Sequence, residues 1–179
     1  MRATLAIVFS LLIAPLALAQ MPPEPTAFHR DMAREVGVWD AKVTVWTAPD
    51  AEPEHSTGVE TITAMGPLWT VGKFQGDFAG MPFEGRSQMG YDPAEKQYIG
   101  TWIDSVSPYL MTMQGSYDPS THQLTMESNC RCWQTNEPQK GRMVTTYLDE
   151  NSKVFETFGP DDEGNEFRSM RIEYTRRGE

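Results

Sequence analysis

The stretch Trp39-Asp40-Ala41-Lys42-Val43-Thr44-Val45 places apolar side chains at odd positions and polar ones at even positions. Alternation with period two puts all the apolar residues on one side of an extended chain, the mark of a strand with one buried and one wet face. Similar short runs recur to the C-terminus, near 37–47, 55–64, 69–78, 83–91, 97–104, 109–117, 123–132, 141–148, 153–158 and 166–175. The punctuation between them repeats as well. Tyr91-Asp92-Pro93 precedes Gln97-Tyr98-Ile99, Tyr117-Asp118-Pro119 precedes Gln123-Leu124, and Tyr147-Leu148-Asp149 precedes Lys153-Val154. In each case an aromatic closes a run and Asp, twice followed by Pro, opens a turn.

Loops this short force neighbouring strands to run antiparallel, because a parallel pair needs a crossover of roughly a dozen residues or more. About ten consecutive antiparallel strands in one sheet accumulate twist and leave two edges that invite aggregation. Closing the sheet removes both problems. The expected fold is therefore mainly β, a closed or nearly closed antiparallel up-and-down barrel of about ten strands. A barrel of that size has room for one small ligand.

Upstream of the first strand, Thr26 is placed to cap a short helix running through Val36 and ending at Gly37. Before it lies a Pro-rich leader, residues 20–25. Residues 1–19 read as a secretory signal: Arg2 supplies a positive charge, Thr4 to Leu18 is apolar, and Ala17-Leu18-Ala19 offers small residues for cleavage before Gln20. Pro15, and then Pro22, Pro23 and Pro25, argue against reading this run as a membrane span. Residues 26–179 are expected to form a single domain in the periplasm or outside the cell, with no membrane insertion.

The net charge of −10 disfavours nucleic acid and anionic lipid as partners. No phosphate-cradling Gly-rich loop, nucleophile elbow or His-Glu-x-x-His helix occurs, so no motif names a reaction, and a binding protein is favoured over an enzyme. No cofactor is expected.

Several short motifs carry a family resemblance. They are Gly37-Val38-Trp39, Met65-Gly66-Pro67-Leu68-Trp69, Gly80-Met81-Pro82-Phe83-Glu84-Gly85, Gly90-Tyr91-Asp92-Pro93, Gly100-Thr101-Trp102-Ile103-Asp104-Ser105 and the terminal Tyr174-Thr175-Arg176-Arg177. In this order, over most of 30–177, the chain resembles the bacterial domain of unknown function 1579 family. The resemblance implies a barrel of the calycin group, similar to lipocalins and fatty-acid-binding proteins, and names no function. It also implies that Trp39 packs under an Arg of the last strand, with Arg168, Arg171 and Arg176 all open as that residue. The stretch 129–140, which contains Cys130 and Cys132, departs from the family pattern.

A barrel interior directs attention to the aromatic and methionine residues of the strands. Trp69, Phe74, Phe83, Trp102, Met111, Met113 and Met126 are candidates, and Met111, Met113 and Tyr117 share one parity. If that parity faces inward, they line a soft apolar pocket, the alternative being a filled core. Asp104 shares a face with Tyr98, Gly100 and Trp102, which makes it either an interior anchor or acid/base or simply the start of a turn. The expected ligand-binding set is Trp69, Phe83, Trp102, Asp104, Met111, Met113 and Tyr117, around a small apolar ligand.

Two readings compete with simple binding: an enzyme using Asp104, and a redox or Cu(I)-handling role for Cys130 and Cys132. Positions i and i+2 of a strand lie about 6.6 Å apart, so a bridge between the two cysteines would be strained. Two soft ligands without a supporting His make a weak metal motif. Likewise His29, His55 and His122 form no haem-ligand pattern, and 161–166 lacks the spacing of a calcium loop.

Overall fold

A computed structural model describes residues 24–78, 80–132 and 135–178; the signal segment 1–19 and positions 20–23 of the leader lie outside the described residues. Thr26 begins α1 (Ala27–Asp31) with a reciprocal cap, its backbone N–H donating to His29 Nδ1 at 3.1 Å. The helix is shorter than the sequence suggests. After Asp31 the chain tightens into a 3₁₀ turn, Met32–Glu35, and Val36 is already extended. The reason lies in the barrel: Trp39 Nε1 donates to the Glu35 carbonyl at 2.9 Å, and Arg176 donates to the carbonyls of Arg34 and Val36. Side chains thus take the carbonyls that a continuing helix would use. Gly37 is needed for two reasons, since its φ is +146° and the Arg176 guanidinium fills the place of a side-chain carbon.

Ten strands follow: β1 (Gly37–Val45), β2 (Glu54–Met65), β3 (Trp69–Phe78), β4 (Met81–Asp92), β5 (Gln97–Asp104), β6 (Met111–Asp118), β7 (Gln123–Arg131), β8 (Pro138–Tyr147), β9 (Ser152–Pro160) and β10 (Glu166–Arg176). Each pairs antiparallel with the next, and β1 also pairs with β10, so the sheet closes. At the seam Trp39 stands between Arg176 and Glu60, and Ala41 between Tyr174 and Gly58. The expected architecture is the observed one. Boundaries move slightly, the eighth strand opening earlier, at Pro138, where a missing N–H is tolerated. One irregularity interrupts the ladder at Arg168/Met170, where Ser169 is extra; its carbonyl accepts from Trp46 N–H at 2.9 Å.

The register fixes which residues point inward. Trp39, Ala41 and Val43 of β1 share a face with Glu60 and Ile62 of β2, Phe74 of β3 and Ile172 and Tyr174 of β10. Around the ring the same face carries Phe83, Ser87 and Met89, Tyr98 and Trp102, Met111 and Met113, Met126, Met143, Phe155 and Thr157. These residues make two separate buried clusters. One gathers Trp39, Ala41, Val43, Ile62, Phe74, Ile172 and Tyr174; the other gathers Met32, Tyr91, Tyr98, Met113 and Met126. The two sides of the barrel are each packed, and Trp102, half-buried, packs against both clusters.

The two ends differ. Where β1 begins and β10 finishes, α1 and the 3₁₀ turn stopper the barrel: Phe28 stacks on Tyr91 at 4.4 Å, and Met32 is buried against Tyr98 and Met113. Among the described residues the other end carries connections between strands. No helix among the described residues is long and apolar enough to cross a membrane.

Candidate functional site

In β1, β5 and β9 burial falls along the inward row from the stoppered end toward the other. In β1, Trp39 and Ala41 are 2% exposed, Val43 is 9% exposed, and Val45 is half-buried. Lys153 is buried while Phe155 and Thr157 beyond it are half-buried, and Tyr98 is buried while Trp102 is not. Inward side chains of a solidly filled barrel would all be buried. Phe83, Trp102, Met111, Phe155 and Met170 are instead half-buried against the two clusters.

The inner face of β3 to β5 carries a run of rings. Phe78 lies 6.1 Å from Phe83, which in turn stacks on Trp102 at 6.5 Å. Trp102 lies across Gly85 in the neighbouring strand, over the place where any other residue would put its side chain. The facing wall supplies methionines at 111, 113, 126 and 143. Around the mouth Phe78, Met81, Ile103, Val106 and Leu110 are exposed. Apolar side chains therefore continue from the inner wall out to the rim.

At the opposite end the floor is polar. Lys153 is buried, forms an ion pair with Glu35 of the 3₁₀ turn, and lies over the rings of Trp39 and Tyr174 at 4.5 and 4.9 Å. Glu60 is also buried, with the Tyr174 hydroxyl as its hydrogen-bonding neighbour. Burial pushes the Glu60 carboxyl above its usual range; the Lys153 charge opposes this and Glu35 adds to it. Burial likewise holds Tyr174 and Tyr147 well above the ordinary phenol range, and both face carboxylates. Arg34 sits between the rings of Tyr147 and Tyr117, 3.7 and 4.4 Å from their centroids. Among the described residues Glu35 Oε1, Arg34 Nε and the Tyr98 hydroxyl are buried without a hydrogen-bond partner.

The residues expected from sequence to bind a ligand do not all meet. Phe83, Trp102, Met111 and Met113 share the inner wall. Tyr117 faces inward too, but it belongs to the stopper, where its hydroxyl accepts from Arg34 at 3.3 Å. Trp69 requires correction. It pairs with Gly90 on the parity opposite to Thr70, Gly72 and Phe74, so it lies on the outer surface, its ring covering Gly90. Asp104 reaches the mouth on the inward parity, yet its carboxylate is taken up locally. Oδ2 accepts from Trp102 Nε1 at 2.9 Å, and Oδ1 accepts from the backbone N–H of Val106 and Ser107 at 3.0 and 2.8 Å. The turn-opening alternative describes it better than an acid or base.

Cys130 is a thiol, pushed up by burial and by the nearby Cys132, and it lines an open cleft of about 630 Å³ with Tyr109, Leu110 and Gln139. No three His, Cys, Asp or Glu side chains gather as a metal site among the described residues. The Trp39 partner left open by the sequence is Arg176, whose guanidinium lies 4.1 Å from the ring centroid; Arg168 packs instead on Trp46.

Sequence reasoning passed over Glu60, Lys153, Glu35 and Arg34. A signal for Glu60 was present, since it shares its parity with Ile62 in β2. Lys153 had none, because Val154 and Phe155 beside it are both apolar and hide the parity.

Known structures repeat this barrel. The chain is similar to Rv2717c from M. tuberculosis, with a TM-score of 0.64 and 8% identity, over 87% of this chain and 100% of that one. It is also similar to the S-type phycobiliprotein lyase CPES from Guillardia theta, with a TM-score of 0.58 and 11% identity, over 86% and 94% of the two chains. At such identities the likeness is one of fold. No curated protein matches the sequence. The family model described as "Protein of unknown function (DUF1579)" matches residues 24–176, and the chain belongs to that family.

Proposed function

We propose that this protein is an exported carrier, scavenger or sensor that binds one small, largely apolar molecule inside its barrel without changing it chemically. The observation that carries this reading is the decline in burial along the inward rows, from Trp39 to Val45 and from Tyr98 to Trp102. It leaves a half-buried belt of Phe83, Trp102, Met111, Phe155 and Met170 between a stoppered end and an apolar rim. Rings and thioethers make a wall that adapts to an apolar shape. The occupied carboxylate of Asp104 supports binding over acid/base chemistry.

The test is extraction of the protein purified from its own host, followed by mass spectrometry. A stoichiometric compound with an apolar body is expected. Protein that emerges empty and leaves anilinonaphthalene sulfonate dark would refute the reading. Export has its own test. Protein recovered outside the cytoplasm should begin at Gln20, and a retained residue 1–19 segment would overturn that part alone.

A further inference from the structure

We infer that the open cleft at the ends of β7 and β8 is a second binding site, on the outside of the barrel wall, for a small organic anion: a carboxylate attached to an aromatic or other apolar body. It is separate from the interior proposed above, and either reading can fail alone.

Register places the cleft. Asn129 pairs with Lys140 and Arg131 with Pro138, on the parity opposite to the inward Met126 and Ser128, and all four of these outward residues line it. Tyr109 and Leu110, from the connection between β5 and β6, close its other side. Asn136 holds the two sides together. It stands at φ +60°, where Asn is tolerated, and its backbone N–H donates to the Cys132 carbonyl at 2.8 Å. Its own carbonyl accepts from Arg131 at 2.7 Å, and its side-chain oxygen accepts from the Tyr109 hydroxyl at 2.9 Å. An exposed Arg ordinarily loses rotamer freedom when it grips a ligand. Here Asn136 orders the side chain beforehand, which removes part of that cost.

The lining has one sign of charge. Acidic residues outnumber Lys and Arg by 25 to 15 in the chain, yet Arg131 and Lys140 line the cleft and no carboxylate does, Glu137 beside Pro138 included. These donors are also uncommitted. Among the described residues the Lys140 ammonium has neither ion pair nor hydrogen bond, the side-chain amides of Asn129 and Gln139 have no hydrogen bond, and Arg131 has no carboxylate partner. By contrast Arg142, Arg168 and Arg171 on the neighbouring strands are each paired with a Glu. A guanidinium that gives one N–H to a carbonyl keeps others for a planar carboxylate. The need for an apolar body comes from Leu110, which is 56% exposed, and from Tyr109 and Pro138, surfaces that a hydrated inorganic anion leaves wet. A volume of about 630 Å³ lies within the range of small-molecule sites and accommodates an aryl carboxylate.

The experiment titrates the mature protein with naphthoate, with its neutral counterpart naphthamide and with acetate, following backbone amide NMR shifts. Naphthoate should move the amides of Asn129, Cys130, Arg131, Gln139 and Lys140 together and bind about tenfold more tightly than naphthamide. Acetate, lacking the apolar body, should not saturate. Lys140→Glu should lose at least about tenfold in naphthoate affinity, and Leu110→Ser about threefold. Lys42→Glu, the same change of charge on β1, should stay within about twofold. Both cleft side chains are exposed, so neither cleft variant should change the melting temperature, and a loss of affinity reports the site rather than the fold. Naphthoate that shifts none of these amides at millimolar concentration, naphthamide that binds as well, or unchanged affinity in Lys140→Glu overturns the inference and leaves the interior reading standing.

Discussion

The Arg176 guanidinium lies over the Trp39 ring and donates to three backbone carbonyls, those of Arg34, Val36 and Glu150, at 2.5, 2.6 and 3.0 Å. One side chain thus ties together the last strand, the first strand, the stopper and the turn before β9. A planar fork of donors with a stacking face is needed for this, and an ammonium offers neither. Arg176→Ala is therefore expected to destabilise the protein by about 2–4 kcal/mol, and Arg176→Lys to recover less than half of that. Urea unfolding measures both. Equal stability of the Lys variant and the wild type would show that charge alone matters here.

Gly85 and Trp102 make a second coupled pair. Any side chain at 85 runs into the indole ring. Gly85→Ala is expected to displace Trp102, break its hydrogen bond to Asp104 and destabilise by about 1–3 kcal/mol. The readouts are a red-shifted tryptophan emission and weaker binding of an apolar dye. A variant that keeps the native emission would place the ring elsewhere.

The buried phenols set the alkaline limit. Burial raises Tyr98 to about 12, and Tyr147 and Tyr174 rise well above the ordinary value of 10.0. A phenol whose folded pKa exceeds its unfolded one stabilises the fold fully below the unfolded value, and that stability is lost as pH rises through the folded one. Denaturation midpoints should hold steady up to pH 10 and fall between pH 10 and about 12. Of the six tyrosines, these three should ionise only as the circular dichroism of the sheet collapses. Phenolate absorbance from all six before unfolding would contradict the burial.

Cys130 should be a sluggish thiol. Its pKa is raised by burial first and by Cys132 second, so the reactive thiolate is scarce at neutral pH. In a Cys132→Ser background, alkylation of Cys130 should run several-fold slower than that of a free cysteine and accelerate as pH rises. Faster alkylation than the free amino acid would imply an activated cysteine and revive a redox role.

The barrel was legible because period-two alternation and repeated Asp-containing turns are local signals. Both survive in Trp39–Val45 and in the turns after Tyr91 and Tyr117. The site was less legible because it depends on register, which is not local. Trp69 has the composition of a wall residue, and only its pairing with Gly90, beside the Thr70 and Met89 pair, turns it outward. Glu60 and Lys153 drew no attention in the sequence because charged residue types suggest water, and closure of β1 on β10 encloses them. Choosing Arg176 over Arg168 likewise needed the seam, since the bulge at Ser169 directs Arg168 to Trp46.

The central claim is that the barrel encloses room for an apolar molecule between its aromatic and methionine walls. Crystals soaked in 1-bromodecane and measured at the bromine edge test it directly. The account predicts an anomalous peak inside the barrel, bounded by Phe83, Trp102, Met111 and Phe155. A barrel with no bromine inside, and with those four side chains closed on one another across the interior, would contradict it.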